Sequence, residues 1–345
     1  MTAGARVPPG AGLLASLYGW VTVRRRRRFH HQPTLARRLS RPVISIGNLT
    51  VGGSGKTPLV VALAAALQAR GERPAVLSRG YARRAAAAGV TVVSDRAGLR
   101  VPVEVSGDEP QLIARRLPGV PVVVAQSRYE AGLAVEREHD CTVHLLDDGF
   151  QHLQLARAVN LLVLSAADLT DRVLPAGRLR EPVDAAWAAD AWLVGDDPAG
   201  AFTATLAQVR PGVVHPPVFT FTTRVGPPRA VHPFGEPAPV APGPAVALTG
   251  IARPERFHAS LRAAGWTIAR TFAFRDHHWF TDAEWTDIMA AARAAGAAIV
   301  TTEKDAVRLT DRSNADVPVV YLPLDAEPSP ALLTWLAGRL GAPAA

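Results

Sequence analysis

Cysteine is almost missing from this chain: Cys141 stands alone in 345 residues. That excludes a disulfide framework and a cysteine-built zinc site, and it fits a reducing compartment. No apolar run reaches the ~20 residues needed to span a bilayer. No internal repeat is present, and the basic residues come without a reader motif or interleaved aromatics, so nucleic acid is not an expected partner. Lysine is nearly absent as well. Of the 38 basic side chains only Lys56 and Lys304 are lysines; the rest are arginines. A compact ammonium fits between phosphates where a guanidinium fork does not, so a lysine kept in an arginine-rich chain marks a position that needs it.

What is present bounds the rest. The length predicts two domains, and 48% apolar residues supply real cores. A net charge of +8 predicts anionic partners. The stretch from Val43 to Val60 organises the chain. Val43, Ile44 and Ile46 read as a buried strand. Gly52, Gly53 and Gly55 free the backbone, Lys56 and Thr57 follow, and Leu59, Val60, Leu63 and Leu67 have helix spacing. Strand, glycine-rich turn, Lys-Thr and helix is the layout of a phosphate-binding loop. Thr50, Val51, Gly52, Gly53, Ser54, Gly55, Lys56 and Thr57 form the predicted phosphate cradle. Backbone N–H groups and the helix N-terminus face the phosphates, Lys56 reaches the β/γ-phosphates, and the Thr57 hydroxyl ligates Mg²⁺. Pro58 falls in the first helical turn, where its missing N–H costs nothing. Thr50 stands where the general pattern has glycine.

Further motifs follow in order. Ser78-Arg-Gly-Tyr81 ends a second strand, and Ala85–Leu99 reads as a hairpin insertion. Asp108 and Glu109 open a helix; they are good N-terminal charges there, or carboxylates beside a phosphate site suited to general-base work. The strand ending in Asp147-Asp148 is Walker-B-like, and those aspartates would complete the Mg²⁺ shell opposite Thr57. Arg178 and Arg180 either clamp an anion or pair with acids. Residues 223–244 are rich in proline and glycine, a linker or extended hairpin, and a second α/β unit follows. Asp276, His277 and His278 read as a metal site, a satisfied turn, or a catalytic histidine reaching across an interdomain cleft. Lys304 is functional or part of a buried ion pair.

The N-terminus is apolar first and basic second, the reverse of a signal peptide. Leu13, Leu14, Leu17, Tyr18 and Val21 fall near one helical face, Trp20 suits the headgroup level, and Arg24 to Arg28 follow. This reads equally as an interfacial membrane helix and as a helix packed on the domain with a solvated basic tail.

Together and in this order, the loop Gly47–Pro58, Ser78-Arg-Gly-Tyr81, Gly107-Asp-Glu-Pro110, Asp147-Asp-Gly-Phe-Gln-His152, Leu174-Pro-Ala-Gly-Arg178, Phe274-Arg-Asp-His277 and Thr302-Glu-Lys-Asp305 resemble the tetraacyldisaccharide 4′-kinase family, whose own loop has the Thr50 form. The resemblance covers nearly the whole chain. It implies an α/β, P-loop NTPase-like fold with two α/β/α sandwich domains joined by a two-stranded β-hairpin linker. It implies a peripheral enzyme at the cytoplasmic face of the inner membrane that uses ATP and Mg²⁺. The lipid substrate would be tetraacyldisaccharide 1-phosphate, phosphorylated on its 4′-hydroxyl to give lipid IVA. By position it assigns Asp108 as base with His277 as partner, His278 being the neighbouring alternative. It gives Mg²⁺ to Asp147 and Asp148, and site contributions to Glu109, Gln151 and Arg178. The corresponding segments are 1–40 (membrane-associated), 41–222 (nucleotide-binding), 223–244 (linker) and 245–345 (smaller C-terminal domain). No obligate protein partner is expected. Two other readings stay open: a P-loop ATPase or GTPase that delivers metal or sorts proteins, whose switch motifs and Cys/His cluster this chain lacks, and a soluble small-molecule kinase.

Overall fold

The computed structural model describes residues 10–52, 55–85, 88–197, 200–312 and 316–341. Gly53 and Ser54 of the predicted cradle lie outside the described residues, as do the first nine residues of the N-terminal segment. The chain falls into two compact units, Met1–Arg79 with Ala125–Thr222 and Glu327–Ala345, and Gly80–Val124 with Thr223–Ala326. The last two crossings fall inside strands Val218–Val225 and Leu324–Pro328.

The first unit is built on parallel strands in the order Pro74–Ser78, Val143–Asp147, Val43–Asn48, Val159–Leu164, Ala191–Gly195, Val218–Val225. The inner strands are buried along nearly their whole length, which is why they read as continuous apolar runs rather than alternating ones. Helices Lys56–Ala69 and Arg128–Glu138 connect them. Gly47 lets the loop after Val143–Asp147 come close: a Cβ there would meet Phe150 at 2.5 Å. The two motif-bearing loops thus meet at the C-terminal ends of adjacent strands, where open α/β sheets bind ligands.

The N-terminal helix, Ala11–His31, packs on this unit through Ala11, Ala15 and Gly19, with Gly19 against Pro182 and Val173. Arg26 then closes an ion pair with Glu181 at 2.7 Å and stacks on the Phe150 ring. Leu13, Leu14, Leu17, Tyr18, Trp20 and Val21 are left exposed, Leu13 at 78%. The packed helix and the exposed apolar face, set out above as alternatives, coexist on two sides of one helix. No helix among the described residues is long and apolar enough to cross a membrane.

The second unit holds a five-stranded sheet in the order Arg229–Ala230, Val319–Leu322, Ala298–Thr302, Pro244–Thr249, Thr267–Ala273, parallel except for its first member. Residues 80–124 group with this unit and not with the rest of the 41–222 segment. The reason is packing. Helix Asp108–Arg116 sends Arg116 to Glu303 at 3.2 Å and to Asp325, while Val103 and Leu112 bury against Val307, Phe234 and Trp279. The hairpin insertion is a short antiparallel ladder of Thr91–Asp95 with Gly98–Leu99.

Candidate active site

In the first unit, strand Val43–Asn48 leads into the loop, and Gly55 precedes helix Lys56–Ala69 at φ 76°, left-handed backbone that glycine adopts without strain. Lys56 Nζ donates to Asn48 Oδ1 at 2.7 Å and pairs with Asp148 Oδ1 at 3.2 Å. Arg180 donates to Asp148 Oδ2 at 2.7 Å. Burial alone would raise the Asp148 carboxyl, but the Lys56 and Arg180 charges outweigh it and hold it below the usual carboxylate range. Asp148 itself has φ 52°, a strained value for an aspartate and one that often marks functional backbone. Asp147 is buried and accepts from the Ser78 hydroxyl at 3.2 Å. Gln151 Nε2 donates to the Asn48 carbonyl at 3.0 Å, tying the two loops together. Thr50 accepts from Asn48 Nδ2 at 3.0 Å, and the Val51 N–H donates to the Arg178 carbonyl at 2.9 Å.

The hydroxyl of Thr57 with the carboxylates of Asp147 and Asp148 is an all-oxygen donor set of the kind Mg²⁺ takes, with substrate phosphates filling the remaining positions. No three His, Cys, Asp or Glu side chains converge as a cage among the described residues. Oxygen donors alone are the donor type a hard cation such as Mg²⁺ prefers.

Positive charge gathers behind these loops. Burial and the neighbouring Arg79 push the Arg128 guanidinium down to about 10. His152 is held down to about 3 by burial and by Arg128, Arg157, Arg25 and Arg79. Arg25, on the N-terminal helix, donates to the Gln151 carbonyl at 3.0 Å. Concentrated charge of this kind attracts anions.

The second unit carries a separate cluster. Asp108, 4% exposed, opens helix Asp108–Arg116. His277 Nδ1 lies 2.9 Å from Asp108 Oδ2 and 3.0 Å from Oδ1. Both residues sit in one unit and touch as they stand, so the pair does not depend on a histidine reaching across from another domain. Burial would raise the Asp108 carboxyl; the His277 hydrogen bond and the Lys304 and Arg308 charges outweigh it and hold the carboxyl below its usual range. His277 has φ 60°, and Tyr81 stacks edge-on against its ring with centroids 5.3 Å apart. His278 faces elsewhere, toward Glu284 at 2.9 Å, so the two histidines do not share one ion. Lys304 pairs with Asp276 at 3.0 Å and Glu109 at 3.3 Å, which makes it part of a charged cluster beside the Asp108–His277 pair.

Of its two readings, Arg178 takes the pairing with an acid. Its side chain is 41% exposed and bound to Asp171 at 2.7 Å, because the turn between them closes on itself; only its backbone serves the loop. Arg180, two residues on, reaches Asp148 instead. Asn48 and Arg308 carried no signal in sequence. Asn48 is one polar residue at the end of an apolar strand. Arg308 is one arginine among many, and its contact with Asp108 spans 200 positions.

The family model for tetraacyldisaccharide-1-P 4′-kinase matches residues 12–341. A tetraacyldisaccharide 4′-kinase of Anaeromyxobacter dehalogenans is 42% identical over 284 residues, covering 79% of this chain and 74% of the relative. One from Aeromonas hydrophila is 38% identical over 333 residues, covering 95% of this chain and 91% of the relative. The crystal structure of LpxK from Aquifex aeolicus in complex with ATP superposes with a TM-score of 0.74 at 31% identity, covering 95% of this chain and 97% of that one.

Proposed function

This chain belongs to the tetraacyldisaccharide-1-P 4′-kinase family, and from that premise we propose how its parts divide the reaction. It is an ATP-dependent kinase that phosphorylates a lipid A precursor at the 4′-hydroxyl. The loop Thr50–Thr57 holds the ATP phosphates, with Lys56 leaving Asp148 to meet the β/γ oxygens. Mg²⁺ supplies charge neutralisation when bound to Thr57, Asp147 and Asp148. Phosphoryl transfer asks mainly for positioning and neutralised charge, and Lys56, Arg180 and the arginines around His152 provide these. Asp108 accepts the proton of the 4′-hydroxyl, and His277 orients its carboxylate. Glu109 and Gln151 support the site through Lys304 and Asn48 respectively.

The exposed face of the N-terminal helix, with its arginine run, lies on an anionic membrane surface at the cytoplasmic side of the inner membrane. It brings the enzyme to a substrate whose acyl chains stay in the bilayer.

The observation that carries this reading is the lysine pairing of the glycine loop: Lys56 spans Asn48 Oδ1 and Asp148 Oδ1, joining the phosphate-binding strand to the metal-binding one. Incubation of the purified protein with γ-labelled ATP and tetraacyldisaccharide 1-phosphate tests it. Label in a lipid bisphosphate is expected. Label released only as inorganic phosphate would make the chain an ATPase instead.

A further inference from the structure

The Asp108 carboxylate is held by more groups than its pairing with His277 requires. Oδ1 accepts the Glu109 backbone N–H at 2.9 Å and lies 3.0 Å from His277 Nδ1. Oδ2 lies 2.9 Å from His277 Nδ1 and accepts a second hydrogen bond from Arg308. The Arg308 side chain is 1% exposed. Its other terminal nitrogen donates to Asp305, which is fully buried and accepts from the Gly250 N–H at 3.0 Å and the Thr302 hydroxyl at 2.7 Å. Arg308 is therefore fixed from behind by a carboxylate that is itself fixed to backbone.

On the far side of the imidazole, Lys304 Nζ lies 3.3 Å from His277 Nε2. An ammonium only donates, so Nε2 must be the accepting nitrogen. Nδ1 then carries the proton that is donated to Asp108. Asp276 is 3.8 Å from Nε2, beyond hydrogen-bond reach, so Lys304 is the nearer neighbour of that nitrogen.

We propose that Arg308 and Lys304 are positioning residues that fix the Asp108–His277 pair in one hydrogen-bonded arrangement, with the imidazole Nδ1–H directed at the carboxylate, before substrate arrives. The inference deepens the assignment of Asp108 as base and rests on it. In the transfer step the acceptor O–H bond breaks as its oxygen bonds to the γ-phosphorus. The proton passes to Asp108, and the phosphorus–oxygen bond to ADP breaks with its electron pair on ADP. With Nε2 facing an ammonium, His277 orients the carboxylate rather than relaying the proton onward. Buried charge of this kind adds little to stability, but it prepares the site without reorganisation during reaction.

The groups facing Asp108 are His277, Arg308 and Lys304 on the donating side and Glu109, Asp305 and Asp276 on the acidic side. Removing a cation raises the proton affinity of Asp108, so a higher pH is needed to keep it ionised. The full-length protein is compared with Arg308→Ala, Arg308→Lys, Lys304→Met and Asp108→Ala. Turnover, KM for ATP and the pH dependence of kcat/KM are measured with low, non-denaturing guanidinium chloride or with sodium chloride at equal ionic strength. Arg308→Ala should lose turnover by about 10–100-fold, the range for a partner acting through another group. Its KM for ATP should not change. Its acid limb should move up by about one pH unit or more, as expected on losing a neighbouring opposite charge. Guanidinium, and not sodium, should restore part of the rate; Arg308→Lys should keep the limb near its original place. Lys304→Met should move the limb in the same direction. An unmoved limb in Arg308→Ala without guanidinium rescue, while Asp108→Ala remains inactive, overturns the positioning role and leaves the base intact. A near-normal Asp108→Ala enzyme removes the base and this inference with it. If Arg308→Ala does not fold, an unmoved limb in Lys304→Met overturns the proposal.

Discussion

The two charged networks of this protein are built differently. Around the phosphate loop, the side chains of Lys56, Asp148 and Arg180 are 12%, 33% and 27% exposed, and each has a partner it can exchange. In the second unit, Asp108, Arg308 and Asp305 are 3%, 1% and 0% exposed, tied to each other and to backbone. On the proposed reading the first network releases its internal ion pairs when nucleotide and metal enter, and its partial exposure suits that, since pairs near water are weak and rearrange cheaply. The second has no polyanion to receive. On the proposed reading it meets a neutral hydroxyl, and its task there is to present one lone pair in one direction. Burial suits that task because it makes every alternative arrangement costly. One end of the reaction is adaptable, and the other is set in advance.

The sharpest way to break this comparison is to dismantle the pre-set end. Asp108→Ala should lower turnover by about 10²–10⁴-fold, the usual contribution of a positioned base, with ATP affinity kept. His277→Ala should lose a similar amount, and the double variant much less than the product of the two, because the residues act as a unit. Rates from single-turnover assays with labelled ATP check this; fully multiplicative losses would show two independent groups. His278→Ala should be mild, since that ring serves Glu284.

At the adaptable end, Lys56→Ala should cost about 10²–10³-fold in turnover, the scale of one lost charge-stabilising donor. Lys56→Arg should not restore it, since the fork is too wide for the cradle. A near-normal rate in either variant would take the loop out of the mechanism. Asp148→Asn should raise the Mg²⁺ needed for half-maximal rate by about tenfold or more, the scale on which changes around a ligand shell act. An unchanged Mg²⁺ titration would leave Asp148 a purely structural partner of Lys56 and Arg180.

The smallest effect belongs to the N-terminal helix. Leu14→Glu and Leu17→Glu each remove an exposed side chain worth about 1.5–3 kcal/mol on burial, so each should weaken partition onto anionic vesicles by about tenfold or more. Turnover on a soluble, short-chain acceptor should stay the same. Full sedimentation of the doubly substituted protein with vesicles would place the membrane contact elsewhere.

How much of this was legible in sequence follows the same division. The phosphate loop depends on backbone freedom and a few local side chains, so Gly52, Gly55, Lys56 and Thr57 declare it within a dozen residues. Asp148 stood out because acids ending an apolar strand are costly without a cation nearby, and Lys56 and Arg180 supply that charge. The pre-set cluster is long-range. Asp108, His277 and Arg308 come together only after helix Asp108–Arg116 packs on the segment around Glu303 and Val307, and no local period encodes that. For the same reason the grouping of residues 80–124 with the second unit was hidden: composition marks the linker at 223–244, while burial of Val103 and Leu112 decides where the helix belongs. The N-terminal helix showed its large apolar residues but not its packing face, because Ala11, Ala15 and Gly19 are too small to stand out.

The two lysines allow the central claim to be tested directly, since one lies in each network. In protein labelled with ¹³C and ¹⁵N only at lysine, just two side-chain environments exist, assigned through Lys56→Met and Lys304→Met. On addition of Mg²⁺ with a non-hydrolysable ATP analogue, the Lys56 ε-methylene signal should shift as its ammonium leaves Asp148 for phosphate, while the Lys304 signal stays where it was. A Lys304 shift as large as that of Lys56, or an unmoved Lys56 at saturating nucleotide, would contradict the account.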